Sequence, residues 1–356
     1  MRVLVAPDSF GGWLGSADIA RRIGARIKHA GHEPLLLPLG DGGEGTAEAL
    51  SPVAFGAVVL PAQGPLDEKR GALCPVLPGP RLFVEGSHAL GPPTDETRSR
   101  WGHAHSGGLG ALLLRARDAA RDHRAGLVVG LGGSATVDGG LGLALALGLQ
   151  AEDVLGARVH TRGASGLHRV HRLVGSPPQF DLTVWADVLT TVADAARVYG
   201  PQKGVPPEAL PALETDLARF ADALEVWAGR PIPRSLQGGG AAGGLGFALH
   251  ALLGAPLLPG APAVAGALRL EHALRRCDAV ITGEGRLDPT SLEGKVVGGV
   301  VAAARREGRP VLAVVGTSTL ATDAPGAPDA VFAAGAPRAE ALDAAADAAA
   351  AWLRLR

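Results

Sequence analysis

In the first and last thirds of this 356-residue chain, apolar, β-branched runs followed by glycine-rich turns alternate with helical patterns. No other feature constrains the fold as strongly. Val3 to Ala6 precedes helical periodicity from Ser16 to Ala30, and Pro34 to Leu39 leads into Asp41-Gly-Gly-Glu44-Gly-Thr46. Near the other end, Ala279 to Thr282 precedes Gly283-Glu284-Gly285, and Val311 to Val315 precedes Gly316. A last run, Ala330 to Ala333, precedes an alanine-rich helix from Glu340 to Leu355. Strand and helix alternating at this spacing predict parallel βαβ units, whose ligands gather outside the carboxyl ends of the strands. The acidic glycine loops therefore fall on one edge.

The middle third has short strand candidates at Val53 to Leu60, Leu82 to Glu85, Leu127 to Gly130 and Leu182 to Ala186, set among further glycine-rich turns. A second α/β domain inserted between the two halves of the first accounts for this most simply. With 47% apolar residues the chain can fill two sizeable cores. A net charge of -1 and the lack of a basic stripe argue against a nucleic-acid partner. The apolar start is too short, before Pro7 and Asp8, for a signal peptide. The segment 238–268, free of Asp, Glu, Lys and Arg, is broken by glycines and prolines and reads as buried chain rather than a membrane span. Cys74 and Cys277 lack any ligand-like spacing and read as small buried side chains. The expectation is a cytoplasmic enzyme, a monomer or a homodimer.

Only four of the 34 basic residues are lysines, Lys28, Lys69, Lys203 and Lys295, and two of them stand beside glycine in Gly200-Pro-Gln-Lys203-Gly204 and Gly294-Lys295. An ammonium on such a loop suits a phosphate, because bare backbone N–H groups can approach the same oxygens. Three glycine-rich loops also carry carboxylates: Asp41 to Thr46, Gly130 to Gly140 with Ser134, Thr136 and Asp138, and Gly283 to Asp288. Phosphoryl transfer needs this mixture, since N–H nests bind phosphate oxygens while carboxylates hold the bridging Mg²⁺. The bland alternative for any one loop is a tight turn whose acid caps the next helix.

A Walker A sequence is lacking: Pro289 stands where Gly294-Lys295 would need its earlier glycine, and Val296 follows the lysine. Gly130-Leu-Gly132-Gly-Ser-Ala135 fits a dinucleotide fingerprint and raises an NAD(P)-dependent oxidoreductase as a rival reading. His103 and His105 form an HxH pair, which without a third ligand nearby reads as a solvated loop.

Ordered along the chain, these motifs resemble the bacterial glycerate kinase family, the type I group related to glycerate 2-kinases. Ala6-Pro7-Asp8-Ser9-Phe10 matches its N-terminal loop, Asp41 to Thr46 its DGGEGT, and Gly130 to Gly140 its GLGGSATxDGG. Gly200 to Gly204 matches FGPQKG with Tyr199 as the aromatic, Ala241 to Leu245 matches GAAGGLG, and Ile281 to Asp288 with Gly294-Lys295 matches ITGEGRxD followed by GK. The resemblance implies a flavodoxin-like parallel-sheet domain, over 1–62 and 272–356, with a second α/β domain inserted at 63–271. It also implies ATP-dependent phosphorylation of D-glycerate, a small-molecule substrate, with Mg²⁺. Departures are Gly11 and Trp13 in the first loop, Thr290-Ser291 for Gln-Thr, and Asp187-Val-Leu-Thr-Thr-Val192 for DVxNPL, about three residues shorter before Gly200. A homologue that has lost turnover and senses a nucleotide or small acid is a third reading.

On the kinase reading, Lys203, Lys295 and Arg286 neutralise the transferred group, and Asp187 accepts the substrate proton. The nucleotide is assigned to Gly132, Gly133, Ser134, Thr136, Asp138, Gly283, Glu284 and Gly285. The substrate is assigned to Asp8, Ser9, Asp41, Gly42, Gly43 and Glu44, and the metal to Asp41, Glu44, Glu284 and Asp288.

Overall fold

The computed structural model describes residues 1–122, 124–321 and 323–355, and the chain divides into two compact units. The first comprises 1–41, 48–53 and the chain from Ala261 onward; the second comprises 42–47 and 54–260. The joints expected at 62/63 and 271/272 lie elsewhere for a plain reason. Gly56–Gln63 pairs antiparallel with Lys69–Leu77 in the second unit's sheet, and the helix Gly260–Ala267 falls almost wholly in the first unit.

Five parallel strands form the first unit's sheet, in the spatial order Ala330–Ala333, Val311–Val315, Ala279–Gly283, Arg2–Pro7, Glu33–Leu36. Counted along the chain this is the 2-1-3-4-5 order of flavodoxin-like sheets, whose order reverses between Arg2–Pro7 and Ala279–Gly283. Val3 and Val5 alternate with Leu4 across the pleat. On their side they meet Ile19, Ile23 and Ile27 of the helix Ser16–His29, together with Leu342, Ala346 and Leu353 of the helix Ala339–Arg354. The i, i+4 spacing of these isoleucines makes the Ser16–His29 stretch helical, and each buried isoleucine contributes about 1.5–3 kcal/mol. Arg26, Lys28 and His29 place positive charge on its last turn, at the negative end of the helix dipole.

A six-stranded mixed sheet builds the second unit, in the order Leu257–Pro259, Leu182–Ala186, Gly126–Leu131, Arg81–Glu85, Lys69–Leu77, Gly56–Gln63. The first four run parallel, Lys69–Leu77 runs antiparallel to them, and Gly56–Gln63 is antiparallel to Lys69–Leu77 in turn. Register pairs Glu85 with Gly130 and Leu131 with Ala186, so three neighbouring strands end side by side. The segment 238–268 is largely buried helix, and no described helix is long and apolar enough to cross a membrane. Cys74 and Cys277 are free and buried.

Candidate active site

In the first unit the two strands at the reversal of order each end in an acid, Asp8 after Arg2–Pro7 and Glu284 after Ala279–Gly283. The Asp8 amide bonds the Gly283 carbonyl at 2.8 Å, which locks the two turns together, and the Ser9 amide donates to Asp8 Oδ1 at 2.7 Å. Burial pushes the Asp8 carboxyl well above its ordinary value, and the charges of Asp41 and Glu284 push it further. Glu284 is pushed up to about 6, again mainly by burial, with Ser291 and Lys295 pulling it back. Its Oε1 is buried without a hydrogen-bond partner among the described residues. Asp41 acts on both acids and Lys295 opposes them, so these four predicted residues form one electrostatic cluster.

Lys295 stands at the N-cap position of the helix Val296–Arg306 and donates to Thr290 Oγ1 at 3.2 Å. Asp288 works locally instead. It caps the short turn Pro289–Leu292 and accepts from the Thr290 amide at 2.9 Å and the Thr290 hydroxyl at 2.7 Å. Those bonds, the side-chain one foremost, hold its carboxyl below the usual range. Arg286 is exposed and 3.8 Å from Asp288, a pair worth under about 1 kcal/mol. Among the described residues no three His, Cys, Asp or Glu side chains come together closely enough to hold a metal by themselves. A hard ion that keeps its waters and shares phosphate oxygens needs only one or two protein carboxylates. Asp8, Asp41 and Glu284, oxygen donors in one cluster, suit that requirement.

In the second unit the loop Gly42–Ala47 is held by Glu85, which closes the strand Arg81–Glu85. The Glu85 carboxylate, 3% exposed, accepts from the Gly45 amide at 2.9 Å, the Ala47 amide at 2.8 Å and the Ser87 hydroxyl at 2.5 Å. Gly42 takes φ +95°, a conformation that favours glycine, and its amide donates to Thr46 Oγ1. The 130–133 turn lies flush against this loop: a Cβ on Gly132 would sit 2.5 Å from Gly43 Cα and 2.7 Å from an Asp187 carboxylate oxygen. Its glycines therefore admit the chain's own loop, and no helix opens until Leu141. The dinucleotide fingerprint needs the opposite arrangement, glycines facing a pyrophosphate at the start of a helix.

Behind the turn, Lys203 donates to Ser134 Oγ and to the Thr136 carbonyl, both at 2.8 Å, and its ammonium lies 5.6 Å from the centre of the Tyr199 ring. The point charge expected on an open glycine loop is thus buried, at 3% exposure. Burial pulls its pKa down from 10.5 to about 7, although Asp187 and Asp138 act in the other direction. Asp138, fully buried, accepts from the Ser106 amide and hydroxyl and from the Gly140 and Gly142 amides, and so anchors the loop from beneath. Asp187 follows the strand Leu182–Ala186, and its amide bonds the Leu131 carbonyl at 3.2 Å.

The profile of the glycerate kinase family matches residues 3–355. The chain is 34% identical to glycerate 2-kinase of Escherichia coli (strain K12), over 90% of this chain and 86% of that one. Glycerate kinases of Halalkalibacterium halodurans and Bacillus subtilis (strain 168) are 35% and 34% identical, over 88% and 89% of this chain and 85% of each. A crystal structure described as a putative glycerate kinase 2 of Salmonella typhimurium LT2 matches with a TM-score of 0.79 at 33% identity, covering 100% of this chain and 98% of that one. The chain belongs to the glycerate kinase family.

Seen as a glycerate kinase family member, the chain departs most between 187 and 199, and that segment is nonetheless well tied. Tyr199 donates to Thr190 Oγ1 at 2.6 Å, the Gly240 amide bonds the Thr190 carbonyl at 2.8 Å, and Thr191 donates to Asp194. Thr190 and Tyr199 therefore brace a loop that lacks Asn-Pro. Glu85, Ser106 and Ser291 were not anticipated as site residues. Glu85 carried a usable signal, an acid closing an apolar strand before glycine, as Glu284 does after Gly283. Ser106 and Ser291 carried none, because each works by partnering an acid distant in sequence or hidden in a turn. The HxH pair separates: His103 is exposed, while His105 is buried, accepts from the Gly107 amide and lies 3.4 Å from Asp67. The solvated loop expected there holds for only one of the two.

Proposed function

We propose that this glycerate kinase family member phosphorylates D-glycerate, or a close hydroxy acid, with ATP and Mg²⁺. The observation that carries the reading is the cluster of Asp8, Asp41 and Glu284 against Lys295 at the reversal of strand order, where desolvation raises Asp8 and Glu284. Carboxylates held above their ordinary pKa gain most from a divalent cation, and a Mg²⁺ ion held by Asp8, Asp41 and Glu284 would neutralise phosphate charge. Lys295 and Arg286 add positive charge for the transferred group.

In the second unit Asp187 is the proton acceptor for the substrate hydroxyl. Such transition states demand little base strength, so its main work is orientation. Glu85 and Lys203 act through the loops they hold. Glu85 fixes the backbone that presents Glu44, and Lys203 fixes Ser134 and the Thr136 carbonyl. Incubation with MgATP and D-glycerate, followed by ADP detection and phosphorus NMR of the product, tests the reading and reports which hydroxyl is modified. Failure to form ADP above a glycerate-free control refutes it.

A further inference from the structure

The first unit also holds a mainly apolar cavity of about 410 Å³ between two helices, Gly260–Ala267 and Val296–Arg306. Its volume lies within the roughly 300–1,000 Å³ of small-molecule sites. Pro262, Ala265 and Gly266 form one wall and Gly299, Ala302 and Ala303 the other, over a base that includes Leu39 and Val300. Small side chains on both walls leave a flat apolar slot. The lining runs the length of the second helix, about 15 Å, from Lys295 at its start to Arg306 at its end. Gly294 and Lys295 close the end where the helix exposes its first amide groups, and Lys295 also faces the charges of Asp8 and Glu284.

We infer that this slot takes the base and ribose of a nucleoside triphosphate, with the phosphate chain leaving at Lys295 toward the acidic cluster. A flat apolar compartment that ends in a cation and free N–H groups is complementary to a molecule with an aromatic ring at one end and a polyanion at the other. Arg269, on the rim, adds positive charge and holds φ +55°, an uncommon conformation for a side-chain-bearing residue. This assignment gives the base to the first unit rather than to the Gly132–Asp138 loop, whose glycines are occupied by the chain itself. It rests on the kinase reading.

Gly299 offers a direct test, because a Cβ there meets nothing within 4 Å and leucine also favours a helix over glycine. Gly299→Leu therefore fills the slot from one wall without moving the backbone. Gly266→Leu, equally unobstructed, fills it from the other wall should the first variant fold poorly. Calorimetric titration with a non-hydrolysable ATP analogue should show at least tenfold weaker binding to either folded variant. Inorganic tripolyphosphate, which has no base, should bind each within twofold of wild type, and Lys295→Ala should weaken both ligands. A folded slot variant that binds the analogue as wild type does, or loses tripolyphosphate equally, overturns the assignment. ADP formation by wild type under the same conditions keeps the kinase reading separate, since it can succeed while the slot assignment fails.

Discussion

Lys203 should titrate more than three decades of pH below an ordinary lysine. Its ammonium has two neutral oxygen acceptors, Ser134 Oγ and the Thr136 carbonyl, and is otherwise enclosed, which takes its pKa from 10.5 to about 7. At 1.36 kcal/mol per decade this corresponds to about 5 kcal/mol of unfavourable desolvation for the charged form. The native state then binds fewer protons than the unfolded chain between about pH 7 and 10.5, so raising pH across that window favours the fold. The full penalty is present below 7 and is gone above 10.5. The difference in unfolding free energy between unliganded wild type and Lys203→Met should rise by about 2 kcal/mol from pH 7 to 9. Because the chain has only four lysines, carbon NMR of lysine-labelled protein resolves the point directly. One Cε signal, absent in Lys203→Met, should move near pH 7. A Lys203 signal that titrates near 10.5, with a pH-independent stability difference, would refute the desolvation argument.

Glu85→Ala should destabilise the protein by about 3 kcal/mol, since it strands two buried amides and a hydroxyl. Turnover should fall further than in Glu85→Gln, which retains one acceptor oxygen; paired denaturation and ADP-release assays compare them. Glu284→Gln should stabilise the unliganded protein by about 1–2 kcal/mol at pH 8 while abolishing turnover. There the raised folded pKa means the native state holds an unfavourable charge at any pH above about 6, and that gain should disappear below about 4.5. Gly132→Ala should lower kcat/KM at least tenfold with unchanged circular dichroism, because the new methyl meets Gly43 and Asp187 rather than the core. A kinetically normal Gly132→Ala would mean the 42–47 loop is free to move away.

The first unit was readable because its three central strands are buried on both faces and stand out as continuous apolar runs, as Val311 to Val315 and Ala279 to Thr282 do. The helix expected from Ser16 to Ala30 runs from Ser16 to His29 for a similar reason, its isoleucines keeping strict helical spacing. Lys69–Leu77 escaped notice, since Gly71 and Pro75 interrupt its pattern and only pairing with Gly56–Gln63 makes it a strand. The second unit's boundary at Ala54 follows from that same pairing. Local pattern cannot report a partner strand.

The order of residues alone determined the alternating architecture, the inserted unit and the glycine-rich loops between them, because periodicity and turn chemistry are local properties that each segment carries with it. Tertiary structure decided what those loops do. It turned the glycines of 130–133 toward the chain's own backbone, buried Lys203 as a brace for Ser134 and Thr136, and assigned Glu85 to hold the 42–47 loop. Desolvation and hydrogen-bond partnership depend on atoms brought together from distant parts of the chain, and no local pattern encodes them.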